Sequence, residues 1–75
     1  MSRKNPKLLQ FTVDGVKFQI DMSEFVVGAS VFVPCVHPQK AANALKMACN
    51  RKGIQYALST RIERDMLGIR LWRTA

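Results

Sequence analysis

The sequence is short of carboxylates, cysteines and long apolar runs, and each shortage excludes a class of protein. Five Asp and Glu residues stand against twelve Lys and Arg residues in a chain of 75, so the formal net charge is +7. Two cysteines are too few for a disulfide framework. No apolar run approaches the roughly 20 residues that cross a bilayer, and no apolar block follows the basic N-terminus as in a signal peptide. A cytoplasmic protein is therefore expected.

The excess of positive charge favours an anionic partner. Nucleic acid is the first candidate, an anionic membrane surface the second and an acidic protein the third. The membrane is set aside because no amphipathic helix carries bulky apolar residues. Solubility alone is the alternative reason for the charge.

Alternation of apolar and polar residues predicts two β-hairpins. Residues 8–20 alternate around Asp14-Gly15, a two-residue turn in which both positions need positive φ. This register places Leu9 opposite Ile20, Phe11 opposite Phe18 and Val13 opposite Val16. A second hairpin closes around Arg64-Asp65, which is poorer turn chemistry. It pairs Leu58 with Leu71, Thr60 with Ile69 and Ile62 with Leu67, all on the inward face together with Tyr56.

Between the hairpins, one strand and one helix are predicted. Residues 30–36 are apolar on both sides, and Pro34 indicates that the strand lies at the edge of a sheet or ends near this residue. The helix begins at Pro38, which suits a first helical turn, and ends before Gly53, which suits a left-handed cap. Phe25, Val26 and Val27 are expected to enter the core after a turn that begins at Asp21.

These elements predict an α+β fold in the order β-β-β-α-β-β. The expected architecture is a single domain over residues 8–75, preceded by a flexible basic arm over residues 1–7. One helix packs on one face of a mostly antiparallel sheet. The other face of the sheet stays open to solvent or a ligand.

The open face gathers the residues that indicate function. Lys17, Arg61, Arg70 and Trp72 are predicted to project from it, so an exposed indole lies in a positive field. Single-stranded nucleic-acid binders combine such aromatic stacking with phosphate contacts. The small residues Gly68, Ser59 and Ala57 beside Trp72 are expected to leave room for a planar group. The competing interpretation is that Trp72 caps the sheet or packs under the N-terminal arm.

The helix offers a second cationic surface. Lys40 and Lys46 lie on its polar side, which contains no carboxylate. They are predicted phosphate contacts, although an ordinary solvated helix face has the same pattern.

Metal binding and enzyme chemistry have little support in the sequence. Cys35, His37 and Cys49 have the ligand types that zinc prefers, but no further Cys or His completes a set of four. The five carboxylates form no pair suited to general acid–base catalysis. No glycine-rich phosphate loop is present. No cofactor and no metal are therefore expected, and the protein is predicted not to be an enzyme.

Residues 25–34 (FVVGASVFVP) and 68–73 (GIRLWR) resemble small, mostly uncharacterised bacteriophage-encoded proteins. The resemblance begins near residue 18 and implies a phage origin and the host cytoplasm, without an assigned activity. It also implies an alternative role, that of an accessory protein which binds and modulates a host protein.

The sequence therefore predicts a small basic nucleic-acid-binding protein of low sequence specificity. Single-stranded nucleic acid is favoured as the partner, and a homodimer stays open. The predicted binding residues are Lys17, Arg61, Arg70, Trp72, Lys40 and Lys46.

Overall fold

The computed structural model describes residues 7–75. Its elements are β1 (Leu8–Val13), β2 (Val16–Asp21), β3 (Ser30–Pro34), α1 (Pro38–Lys52), β4 (Tyr56–Glu63) and β5 (Met66–Arg73). The predicted order and the α+β class are confirmed. The predicted basic arm lies outside the described residues except for Lys7, whose carbonyl accepts a hydrogen bond from the Met22 N–H at 2.6 Å.

The strands form two antiparallel sheets, so the prediction of one sheet is wrong in this respect. β1 pairs with β2, while β3, β5 and β4 form a second sheet in that order. A turn at Asp21, whose carbonyl accepts the Phe25 N–H at 3.0 Å, carries the chain away from β2. The chain then joins the far end of β5, because the Arg73 N–H donates to the Ala29 carbonyl. β3 is thus an edge strand, as Pro34 predicted.

Both predicted hairpin registers are confirmed. Leu9 lies opposite Ile20 and Phe11 opposite Phe18, and the two phenyl rings stack with centroids 5.3 Å apart. In the second hairpin Leu58 lies opposite Leu71, and the other two predicted pairs, Thr60 with Ile69 and Ile62 with Leu67, are also observed. Side-chain alternation therefore fixed both registers, even where the turn residues were unfavourable.

The turn between β4 and β5 has two non-glycine residues in left-handed backbone. Arg64 has φ 50° and Asp65 has φ 63°, comparable with φ 53° at Asp14 and 77° at Gly15 in the first turn. Left-handed backbone costs a residue other than Gly, Asn or Asp roughly 1–2 kcal/mol. The turn at Arg64 is therefore strained, whereas the turn at Asp14-Gly15 is not.

Replacing Arg64-Asp65 with Asn-Gly is expected to relieve that strain. We expect the free energy of unfolding to rise by about 1 kcal/mol and Tm to rise by roughly 4–8 °C, as is usual for a domain of this size. Thermal unfolding followed by circular dichroism measures the shift. An unchanged or lower Tm would contradict the assignment of strain to this turn.

The core lies between the helix, β1 and the inner face of the three-stranded sheet. The helix buries Ala41, Leu45, Ala48 and Cys49 along one side. They join buried residues from every strand except β2 and β4: Leu9, Phe11, Val13, Val33, Ile69 and Leu71. Gly53 ends the helix in left-handed backbone at φ 70°, as predicted, while His37 occupies the N-cap position without a side-chain capping bond.

Some residues predicted to be buried are exposed. Phe25 enters the core, but Val26 and Val27 stay outside it. Ile62 is 72% exposed and Leu67 40%, although their strands follow the predicted alternation. The turn end of the β4–β5 hairpin therefore extends beyond the elements that cover its inner face.

Candidate nucleic-acid interface

The outer face of the three-stranded sheet carries three of the predicted binding residues. Because side chains opposite each other in a sheet project to the same side, the register groups the outward residues in rows. Ser30, Trp72 and Ala57 form one row, Phe32, Arg70 and Ser59 the next, and Pro34, Gly68 and Arg61 the third. Arg61, Arg70 and Trp72 are thus brought to one surface, opposite the helix.

Arg70 is held by contacts within the sheet. Its Nε donates to Glu63 Oε2 at 2.8 Å and a terminal nitrogen donates to Oε1 at 2.5 Å. The other terminal nitrogen donates to Ser30 Oγ at 3.0 Å, and the guanidinium lies 5.7 Å from the Phe32 ring centroid. A two-point bond between arginine and carboxylate is both strong and orienting. Arg70 therefore holds Glu63 and Ser30 in place on the outer face of the sheet, and its guanidinium has little freedom to contact a phosphate.

The bonds from Arg70 hold the pKa of Glu63 below its ordinary value, and they raise the pKa of Arg70. A carboxyl whose pKa is lower in the folded protein stabilises the fold at pH values above its unfolded pKa. That stabilisation is lost as the pH falls through the lowered folded pKa. Glu63 thus contributes at neutral pH and ceases to contribute in acid.

We therefore expect Glu63→Gln to lower Tm at neutral pH and to have a diminishing effect as the solution is acidified through the titration of Glu63. Thermal unfolding across a series of acidic buffers measures the difference in Tm. The matched control is Glu24→Gln, which removes an exposed carboxylate that forms no ion pair within residues 7–75. A difference that stayed constant down to low pH would contradict the assigned role of the Glu63–Arg70 bond.

Arg61 and Trp72 form the accessible part of the platform. The Arg61 guanidinium carbon lies 6.0 Å from the centroid of the indole, within the range of a cation–π contact. Its Nε is 3.4 Å from Glu63 Oε2, and half of its side-chain surface is exposed. Trp72 is half-buried. A planar, positively charged group thus covers an aromatic ring at the surface of the sheet.

The room predicted at Gly68 is already filled. Gly68 is buried, and a Cβ built on it would lie 2.6 Å from the Phe32 Cζ and 2.4 Å from the Val33 carbonyl oxygen. Gly68 therefore makes space for β3 of this chain, so the prediction that Gly68 leaves room for a planar group is wrong.

The three predicted lysines lie away from this platform. Lys17 is exposed on β2, in the other sheet, so the prediction that it shares a face with Arg61 and Trp72 is wrong. Lys40 and Lys46 are exposed on the helix, which packs behind the inner face of the sheet. The cationic side of the helix and the Arg61–Trp72 platform therefore point in opposite directions.

The candidate zinc ligands are not assembled. Burial raises the pKa of both the Cys35 and the Cys49 thiols, while His37 is exposed. Within residues 7–75, no group of three or more His, Cys, Asp or Glu side chains is arranged to hold a metal ion. Across the same residues, no helix is long and apolar enough to cross a membrane.

Glu63 is the residue of this surface that the sequence prediction omits, although the alternation that turns Arg61 outward turns Glu63 outward as well. It is the sole carboxylate among the outward residues of β3, β4 and β5, so it was the natural partner for both arginines. Ser30 and Phe32 gave no comparable signal, because their position depends on the pairing of β3 with β5.

Comparison with models of known protein families, with curated proteins and with solved structures finds no match to this chain. The resemblance to phage proteins stays a prediction, and the function is argued from the geometry.

Proposed function

We propose that the protein binds single-stranded nucleic acid with low sequence specificity and without enzymatic activity. The Arg61–Trp72 platform stacks a base and contacts the adjoining phosphate. The observation that carries this proposal is the Arg61 side chain, half of whose surface is exposed, with its guanidinium lying over Trp72 on the outer face of the sheet. Arginine planes and indole rings are the two surfaces on which unpaired bases commonly stack.

The charge distribution supports the same proposal. The net charge of +7 supplies the attraction for a phosphate backbone, which dominates the affinity of such binders. Lys17, Lys40 and Lys46 are exposed and form no ion pair within residues 7–75. They contribute to the overall field and contact phosphates of a strand that passes around the molecule. Arg70 acts as a positioning residue, because Glu63 and Ser30 hold its guanidinium.

The test is a titration of Trp72 fluorescence with short single-stranded DNA and RNA. Trp72 is the sole tryptophan in the chain, so the signal reports one position. We expect saturable quenching that weakens as salt is added, by roughly 0.7 in log affinity per phosphate neutralised and per tenfold rise in salt. Unchanged fluorescence throughout the titration would overturn the platform as the binding site.

Arg61→Ala should weaken this binding more than Lys17→Ala does. Each change lowers the net charge by one, but Arg61→Ala also removes the guanidinium that lies over Trp72. The two variants are matched in charge and in the residue introduced, and labelled oligonucleotides compare their affinities by fluorescence anisotropy. Equal losses would show that binding depends on net charge alone.

A second candidate is a module that binds another protein, such as an accessory protein acting on a host protein. The observation that favours it is a cluster of exposed apolar residues that includes Val16, Val36 and Met66. Binding of this kind should depend weakly on salt, because apolar contacts are not screened. It should also leave Trp72 fluorescence unaffected by oligonucleotides.

A further inference from the structure

Strand β4 forms one edge of the three-stranded sheet. It pairs with β5 on one side, and no strand of residues 7–75 pairs with its other side. In an antiparallel pair, alternate residues direct their backbone N–H and C=O groups toward the neighbouring strand, and the residues between direct theirs away from it. The Cys35 N–H donates to the Leu67 carbonyl, so the odd-numbered residues of β5 face β3. The even-numbered residues of β5 therefore face β4.

Four residues of β4 direct their backbone groups outward, away from β5. Arg61 lies opposite Gly68, an even-numbered residue of β5, so the odd-numbered residues of β4 face β5. The Thr74 N–H, which donates to the Gln55 carbonyl, follows the same alternation. The outward groups are those of Tyr56, Leu58, Thr60 and Ile62, and they take part in no hydrogen bond elsewhere in residues 7–75.

The other edge strands carry features that hinder the addition of a further strand. Alternation places Pro34 on the outward side of β3, where it offers no N–H. The Gln10 carbonyl of β1 accepts a hydrogen bond from the Arg51 side chain of the helix at 3.4 Å. Lys17 is exposed on β2, and lysine is a common guard of sheet edges. β4 has eight residues without Pro, Gly or Lys, so it is the longest edge that another strand can join.

A second copy of β4 fits this edge when the two antiparallel strands meet at Ser59. A two-fold axis there sets Tyr56 opposite Ile62 and Leu58 opposite Thr60, so every outward residue of both strands is paired. Each of these four pairs exchanges two hydrogen bonds, which gives about eight in total. Moving the axis by one residue in either direction leaves only about three such pairs, because the end of one strand then passes the end of the other.

The side chains of β4 are complementary in the same register. Ile62 is 72% exposed on the inner face, and Tyr56 of the second copy covers it. An aromatic residue opposite a β-branched residue is a favourable cross-strand pair. On the outer face Arg61 comes opposite Ala57, so no two like charges face each other. Because the strand supplies both the exposed apolar residue and the residue that covers it, a second copy fits this edge better than an unrelated strand does.

The charge of the edge permits this contact. β4 carries one cation, Arg61, and one carboxylate, Glu63, so two copies of the strand bring no net charge together. The Arg61 guanidinium lies over Trp72 of β5 and so does not project beyond the edge. The repulsion between two chains of charge +7 is largely screened beyond about 8 Å at physiological salt.

We propose that two copies of the protein associate through β4 about a two-fold axis at Ser59, so that their three-stranded sheets form one continuous sheet. Extension of a sheet at a free edge is a common mode of recognition. The contact uses the same surface on both copies and is closed, so it produces dimers and no longer assemblies. The two Arg61–Trp72 platforms then lie on one face of the joined sheet.

Disulfide trapping tests the register. Ser59 lies opposite its own copy in a pair without hydrogen bonds, where the two Cα atoms are about 4.5 Å apart, within reach of a disulfide. Ser59→Cys is therefore expected to form a disulfide-linked dimer under mild oxidation, whereas the natural Cys35 and Cys49 are buried. Ala57→Cys is the matched control on the same strand and face. Its two copies lie four residues apart along the strands, roughly 13 Å, which is too far for a disulfide.

Light scattering of nucleic-acid-free protein at physiological salt measures the association over a range of concentrations. Thr60→Pro removes an outward N–H that the fold itself does not use, so circular dichroism should show an intact domain. The dimer should weaken by roughly thirtyfold or more, because the two-fold axis removes two hydrogen bonds at once. Gln19→Pro is the matched control, since it makes the same change on the outward side of β2. It should associate like the unmodified chain.

A side-chain variant tests the same edge without a change to the backbone. Ile62→Lys is expected to weaken the dimer by roughly tenfold, the loss of two cross-strand pairs. Met47→Lys, at a position 61% exposed on the helix, introduces the same charge and should have no such effect. Association of Ile62→Lys at the strength of the unmodified chain would overturn the proposal. Equal trapping of Ala57→Cys and Ser59→Cys, or an unmodified chain that stays monomeric at every concentration, would overturn it as well.

Discussion

Gly68→Ala is expected to lower the free energy of unfolding by about 3 kcal/mol or more, at the upper end of the usual range for overpacking. The added Cβ would lie 2.4 Å from the Val33 carbonyl oxygen and 2.9 Å from the Pro34 Cα. Both obstacles are backbone atoms of β3, so relief requires β3 to move away from β5 and to lose ladder hydrogen bonds. In a domain of this size Tm should fall by roughly 12 °C or more.

Two further variants test whether the clash with the β3 backbone, and not strain or the Phe32 ring, causes the loss of stability. Gly53→Ala introduces the same methyl group where a Cβ would meet nothing within 4 Å, and it adds strain only through φ 70°. Its cost should be about 1 kcal/mol, well below that of Gly68→Ala. Adding Phe32→Leu to Gly68→Ala should recover little stability, since the backbone contacts persist. Full recovery in this double variant would show that the Phe32 ring, and not the β3 backbone, required glycine.

Trp72→Ala is expected to weaken binding of a single-stranded oligonucleotide by roughly 5- to 150-fold. This corresponds to the loss of about 1–3 kcal/mol for one stacked base. The slope of log affinity against log salt should not change, because no cation is removed. Fluorescence anisotropy of a labelled oligonucleotide measures both quantities without using the tryptophan signal.

The slope and the affinity distinguish stacking from charge. Arg61→Ala should lower the magnitude of the salt slope by about 0.7, the contribution of one phosphate on a single strand. Trp72→Phe should retain most of the affinity, because it keeps an aromatic face at the same position. An unchanged affinity for Trp72→Ala, with circular dichroism confirming an intact fold, would contradict stacking on this residue.

The sequence predicted the local elements well because short-range physics determines them. Alternation of apolar and polar residues predicted the pairing of Phe11 with Phe18 and of Leu58 with Leu71, and Gly53 predicted the end of the helix. Arg64 shows that this pattern outweighs turn preference, since the hairpin keeps its register over strained backbone.

The arrangement of those elements was less predictable, because it depends on contacts between residues distant in sequence. Nothing in the local sequence indicates that β3 joins β5 and not β2. The prediction therefore put Lys17 on the same sheet face as Arg61 and Trp72, whereas it lies in the other sheet. The apolar character of Val26 and Val27 predicted burial, yet burial requires a neighbour that this fold does not supply. The place of Phe32 beside Gly68 likewise follows from the pairing of β3 with β5. The grouping of Arg61, Arg70 and Trp72 on one face could therefore be predicted, whereas the filled space at Gly68 could not.

The division into two sheets also decides which element covers the core residues of the first hairpin. The sheet of β3, β5 and β4 and the helix come from one continuous stretch, residues 30–73. The first hairpin is attached to it by core packing and by side-chain hydrogen bonds such as Asp14 to Val36. Outside the hairpin, the element that β1 contacts is the helix, so Leu9 and Phe11 are expected to become covered during synthesis once the helix has been made, before the C-terminal strands are needed.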